Sequence, residues 1–126
     1  MNPVQTAQRL ARAFQTLQIT VTATGHDTTI TAPRQELVRA AVQLQRGERT
    51  YSTMRAEGVL RRQMVTHSTE DAIVFLVPEA MRLIALLEEC AREADRAAKL
   101  RRGIIPGALS AREATDLIRR GYFHRS

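Results

Sequence analysis

Apolar residues recur at spacings of three and four over residues 3–16. Val4, Ala7, Leu10, Ala11 and Phe14 share one side, and Gln5, Gln8, Arg9, Arg12 and Gln15 the other. That period predicts an amphipathic helix, with Pro3 tolerated in its first turn. The period then falls to two. Leu17, Ile19, Val21 and Ala23 alternate with Gln18, Thr20, Thr22 and Thr24, the pattern of a half-buried strand with a threonine-rich outer face. Gly25-His26-Asp27 supplies turn residues and residues 28–32 a second strand, so a hairpin is expected. Pro33 suits the opening of a second helix that carries Leu37, Val38, Ala41, Val42 and Leu44 inward and stops at Gly47.

The pattern is weakest over residues 48–58, where Tyr51 and Met54 stand without a sustained period and strand and loop both remain open. Residues 59–66 and 72–77 read as a second hairpin around the turn 67–71. The later strand is almost wholly apolar and is expected centrally, with both faces covered. Pro78 opens a long helix reaching Arg102. Its seam of Ile84, Leu87, Ala91, Ala94 and Ala98 has the 3-4-3-4 spacing of a helix–helix interface, so a homodimer through residues 78–102 is expected. Gly103-Ile104-Ile105-Pro106-Gly107 breaks that helix, and Ser110-Ala111-Arg112-Glu113 is a capping box opening a short last one, closed by Gly121.

The order is therefore helix, hairpin, helix, hairpin, long helix, short helix. It predicts an α+β fold, an antiparallel sheet packed by helices, in one domain over residues 1–126. Residues 103–126 are expected as a mobile basic helix and tail appended to it.

Composition narrows the class. A chain of 126 residues, 44% hydrophobic and 25% charged, has the make-up of one folded domain. Phe14, Tyr51, Phe75, Tyr122 and Phe123 are its only aromatics, so the core must be aliphatic. Cys90 is the single cysteine. It rules out an intramolecular disulfide and a cysteine-rich zinc site, fits a reducing compartment, and reads as a small core residue. The N-terminal residues lack a signal-peptide pattern. The longest apolar stretch, residues 72–78, is far short of the roughly 20 residues of a membrane helix. A cytoplasmic protein without a membrane partner is expected.

Charge carries the functional expectation. The net charge is +6, from eighteen arginines and one lysine against thirteen acids. A GC-rich genome would produce this arginine bias by itself, yet arginine is also the side chain best shaped for phosphate. By segment the balance is +1 over residues 1–33, +4 over 34–66, −5 over 67–95 and +6 over 96–126. Along the long helix the helix dipole explains it, with Glu79, Glu88 and Glu89 early and Arg96, Lys99, Arg101 and Arg102 late. Glu88–Arg92 and Asp95–Lys99 also have i,i+4 spacing. Elsewhere it does not. Arg61 and Arg62 are expected mid-strand, one on each face. The tail carries Arg112, Arg119, Arg120 and Arg125 interleaved with Tyr122, Phe123 and His124. Those aromatics either lock onto the core or stack on bases.

A nucleic-acid-binding accessory protein is the leading expectation. Its phosphate contacts would come from Arg61, Arg62, Arg101, Arg102, Arg112, Arg119, Arg120 and Arg125, with Tyr122 as an aromatic contact. The alternative is an adaptor, enzyme inhibitor or assembly protein that binds an acidic protein partner. The element order resembles that of small dimeric secretion chaperones in topology alone; those are typically acidic, which the charge of +6 opposes.

Chemical motifs add little. Gly25-His26-Asp27-Thr28-Thr29 resembles the His-Asp segment of histidine acid phosphatases. The Arg-His-Gly nucleophile motif of that family occurs nowhere in the chain, which is also too short for its fold. His26, His67 and His124 lack metal-ligand spacing, and the glycines form no phosphate loop. No catalytic residue, metal or cofactor is expected, and only a convergence of His26, Asp27 and His67 would revive an enzyme.

Overall fold

The computed structural model describes residues 2–101. The chain divides into two compact units, Met1–Arg92 and Glu93–Ser126. The first unit opens with helix α1 (Pro3–Gln15), whose first turn is capped by Asn2: its Oδ1 accepts from the Gln5 N–H at 2.8 Å. The helix closes through a left-handed residue, Gln18, at φ 61°. The Gln18 N–H donates to the Gln15 carbonyl and the Ile19 N–H to the Phe14 carbonyl, at 2.9 and 3.1 Å. These are the paired bonds of a Schellman closure, a position where glycine is the usual occupant.

Residues 19–23 keep the expected alternation in burial, with Ile19 and Val21 buried and Thr20 and Thr22 exposed. They do not join the sheet ladder. The Thr22 N–H and hydroxyl are taken instead by the Glu36 carboxylate, at 2.7 and 2.9 Å. The hairpin is consequently displaced from its sequence pattern: β1 (Thr24–His26) takes in Gly25 and His26, expected in the turn, and pairs with β2 (Thr29–Pro33). Asp27 turns it with φ 54°, a conformation that aspartate tolerates better than most residues. Gly25 is required for a different reason. A Cβ there would overlap the backbone of Pro3, so the start of α1 lies directly on this strand.

Pro33, the last residue of β2, stands just before helix α2 (Arg34–Arg46) without a side-chain capping bond, and Gly47 ends the helix. Leu37, Ala40, Ala41 and Leu44 face the core, whereas Val38 is exposed and Val42 only half-buried. The largest departure follows. Residues 51–66 form helix α3 (Tyr51–Thr66) rather than a loop and a strand, so the second hairpin does not exist. Strand β3 (Ala72–Leu76) pairs antiparallel with β2, with Ile30 opposite Phe75 and Ala32 opposite Ile73. It stands last in the order β1-β2-β3, flanked beyond only by an isolated bridge from Ser68 to Ile73. Its burial alternates, Ile73 and Phe75 inside and Leu76 exposed, so one face is covered where two were expected. Helix α4 (Val77–Arg101) completes the described elements.

The fold class is α+β, and the described residues form four helices and a three-stranded antiparallel sheet. One core unites the inward sheet face with Leu10 and Phe14 of α1, Leu37 of α2, Leu60 of α3 and Leu83, Ile84 and Leu87 of α4. As its composition dictates, the core is aliphatic around two phenylalanines, Phe14 and Phe75. Cys90 is buried in it. Among the described residues no helix is long and apolar enough to cross a membrane. Of the second unit, the described part is the end of α4, where Lys99 meets Asp95 at 3.1 Å with the expected i,i+4 spacing.

Candidate functional site

Helix α3 begins with a capping box built from two threonines. The Thr53 N–H donates to Thr50 Oγ1 at 3.2 Å, and the Thr50 N–H donates to Thr53 Oγ1 at 2.7 Å. Its inward face carries Ser52, Ala56, Leu60 and Gln63, two of them polar. Gln63 is buried because it fastens three elements together. Its Nε2 donates to the Val74 carbonyl of β3 at 2.7 Å and to Glu79 Oε1 of α4 at 3.2 Å. The same Glu79 oxygen accepts from the Leu76 N–H at 2.8 Å.

Above that junction lies an open cleft of about 420 Å³ lined by Arg55, Gly58, Val59, Arg62 and Gln63 from α3 and Glu79 and Arg82 from α4. Arg55, Gly58 and Arg62 follow one another at spacings of three and four, so they share one side of α3. Arg55, Arg62 and Arg82 are all exposed, and no carboxylate in the described residues lies within ion-pairing distance of any of them. The one carboxylate among the described lining residues, Glu79, directs an oxygen to Gln63 and the Leu76 N–H. Three cations against one anion make this an anion-attracting concavity. Tyr51, one turn before Arg55 and 74% exposed, holds the Arg55 guanidinium 5.4 Å from its ring centroid, a cation–π contact.

Gly58 lacks a packing role here. A Cβ at this position would meet none of the described residues within 4 Å, although glycine inside a helix costs about 1 kcal/mol relative to alanine.

Other arginines are engaged within the fold. Arg9 meets Glu88 at 3.0 Å, Arg49 meets Glu57 at 3.3 Å, and Arg92 meets Glu89 at 2.7 Å, not Glu88 as its spacing led one to expect. A second concavity, lined by Arg9, Arg12, Ala13, Thr16 and Glu88, contains the Arg9–Glu88 pair and so offers less net charge.

No family model, curated protein or solved structure matches this chain.

Of the described arginines singled out from sequence, Arg61, Arg62 and Arg101, one lies in the cleft. Arg62 does, but on a helix and not on a strand face. Arg61, its neighbour, turns away to Glu57 at 3.6 Å and Gln45 at 3.3 Å. Arg101 ends α4 in the second unit. Arg102, Arg112, Arg119, Arg120, Tyr122 and Arg125 lie outside the described residues, as does the capping box at Ser110. The seam of α4 also needs correction. Ile84 and Leu87 are 1% and 0% exposed within the core, so the first half of the expected dimer interface packs against its own chain, leaving Ala91, Ala94 and Ala98. His26 contacts Asp27 at 3.3 Å, both well exposed. His67 lies beyond the opposite edge of the sheet, since its carbonyl accepts from Val74, which faces Thr31, which faces Thr24. Three strand spacings place the two backbones about 14 Å apart, and the convergence of His26, Asp27 and His67 does not form. Among the described residues no cluster of ligating side chains fits a metal ion.

Arg55, Arg82, Tyr51 and Gly58 were missed from sequence. The available signal was the Thr50-Tyr51-Ser52-Thr53 cap followed by Arg55, Gly58 and Arg62 at helical spacing.

Proposed function

We propose that this chain is a non-catalytic nucleic-acid-binding protein that takes polynucleotide phosphates in the cleft between α3 and α4. One observation carries the reading: Arg55, Arg62 and Arg82 line a single concavity without carboxylate partners. Arginine forks bind phosphate oxygens in pairs, and each neutralised phosphate releases counterions, which makes such binding strong at low salt. The exposed Tyr51 beside Arg55 supplies a ring on which a base can stack.

The test is fluorescence anisotropy with labelled single-stranded DNA, duplex DNA and RNA, between about 50 and 200 mM salt. The reading expects binding that weakens steeply as salt rises and is largely lost in Arg55→Ala/Arg62→Ala/Arg82→Ala. An Arg39→Ala control removes an exposed charge outside the cleft and should bind as the parent chain does. Absence of binding to all three nucleic acids at low salt overturns it. The second reading is an acidic protein partner. It is favoured by Met54 and Val65, 54% and 84% exposed on the same helix, which would add apolar contacts that nucleic acid does not need.

A further inference from the structure

Gly58 is the residue of the cleft that folding least explains. Glycine is the least favourable helix-interior residue short of proline, and its usual justification is a neighbour too close for a side chain. Among the described residues nothing approaches Gly58, so their packing has no use for the missing Cβ. What the missing side chain does provide is room in the cleft, midway between Arg55 and Arg62 along α3. Those two arginines are seven residues apart, or ~10.5 Å along the helix axis. Tyr51 continues the same side of the helix one turn earlier, and Arg82 faces the track from α4.

We propose that Gly58 is the crossing point of a bound single strand. Its sugar–phosphate backbone passes over α3 at Gly58, its phosphates meet Arg55, Arg62 and Arg82, and one base stacks on Tyr51. This deepens the nucleic-acid reading and rests on it. The single strand is argued from Tyr51, because bases in a duplex are already stacked and leave no face for its ring. The glycine sets specificity by clearance, since any side chain at residue 58 occupies the space the strand needs.

The test compares the parent chain with Gly58→Ala, Gly58→Gln and Tyr51→Ala. Melting temperature is read alongside anisotropy with a labelled single-stranded oligonucleotide and its duplex. Both Gly58 variants should melt at higher temperature, because each replaces glycine with a better helix former in open space. Their affinity should move the opposite way, with Gly58→Ala several-fold and Gly58→Gln at least tenfold weaker for the single strand. Tyr51→Ala should lose about tenfold, and the parent chain should prefer the single strand to the duplex by at least tenfold. Single-strand binding by both Gly58 variants at the parent affinity, with their folding intact, would overturn the crossing point and leave the arginine cleft standing. Equal affinity for duplex would overturn the strand assignment. Loss of all binding in the parent chain would remove the nucleic-acid reading itself, and this inference with it.

Discussion

Two single positions show how backbone geometry overrides residue preference in this fold. Gln18 occupies the left-handed closure of α1 at φ 61°, where a Cβ costs about 1–2 kcal/mol. Gln18→Gly removes that strain while loosening the unfolded chain. The net expectation is a gain of up to about 1 kcal/mol, seen as a higher denaturant midpoint with an unchanged slope. Gly25 has the reverse character. Its replacement by alanine sets a Cβ against the backbone of Pro3, and neither strand nor helix can yield without disturbing the core. Gly25→Ala should therefore destabilise by about 1–3 kcal/mol, and thermal unfolding checks it. Gly25 and Gly58 thus differ in kind: Gly25 is fixed by its neighbours, Gly58 by none of the described residues.

At the scale of elements, α3 decides the molecule. It presents Arg55 and Arg62 outward and is secured inward by Gln63, whose amide reaches β3 and α4 together. Gln63→Leu keeps the bulk but deprives the Val74 carbonyl and Glu79 of a buried donor. A loss of about 1–3 kcal/mol follows from leaving such groups unsatisfied, measured by chemical denaturation. Glu79, no longer held by Gln63, becomes freer to pair with Arg82 or Arg62, so nucleic-acid affinity should fall as well. The cap is a separate handle. Thr50→Ala removes the side-chain acceptor of the capping box, to which the Thr53 N–H donates, and leaves the Thr50 N–H bonded to Thr53 Oγ1; it should cost about 1 kcal/mol, with fraying at the Tyr51 end that amide hydrogen exchange would report.

For the whole molecule, charge and its dependence on salt are the quantities that matter. A net charge of +6 attracts any polyanion at long range, so affinity alone does not locate the contact. The salt slope does. Each phosphate contact on a single strand contributes about −0.7 to the slope of log affinity against log salt. Replacing Arg55, Arg62 and Arg82 together should flatten it by about two. Arg119→Ala/Arg120→Ala should flatten it by between one and two where the tail also touches phosphate, and leave it unchanged where it does not.

Periodicity alone determined much of this protein: α1, α2 between Pro33 and Gly47, the long α4, the aliphatic core and the α+β class. Each of these has an apolar face in register with its own geometry, so sequence and packing agree. Helix α3 was illegible for a physical reason. Ser52 and Gln63 hold half of its buried face, because one hydrogen-bonded amide serves there in place of an apolar contact, and the 3.6-residue period is thereby diluted. Without α3, β3 was expected to pair with residues 59–66 instead of β2, and Arg61 and Arg62 were placed on the faces of a strand. Ile84 and Leu87 likewise gave a seam whose spacing is the same whether it meets a second subunit or its own core. Only the tertiary structure could set Arg82 of α4 beside Arg55 and Arg62 of α3, since a site assembled across elements leaves no spacing in the sequence to read.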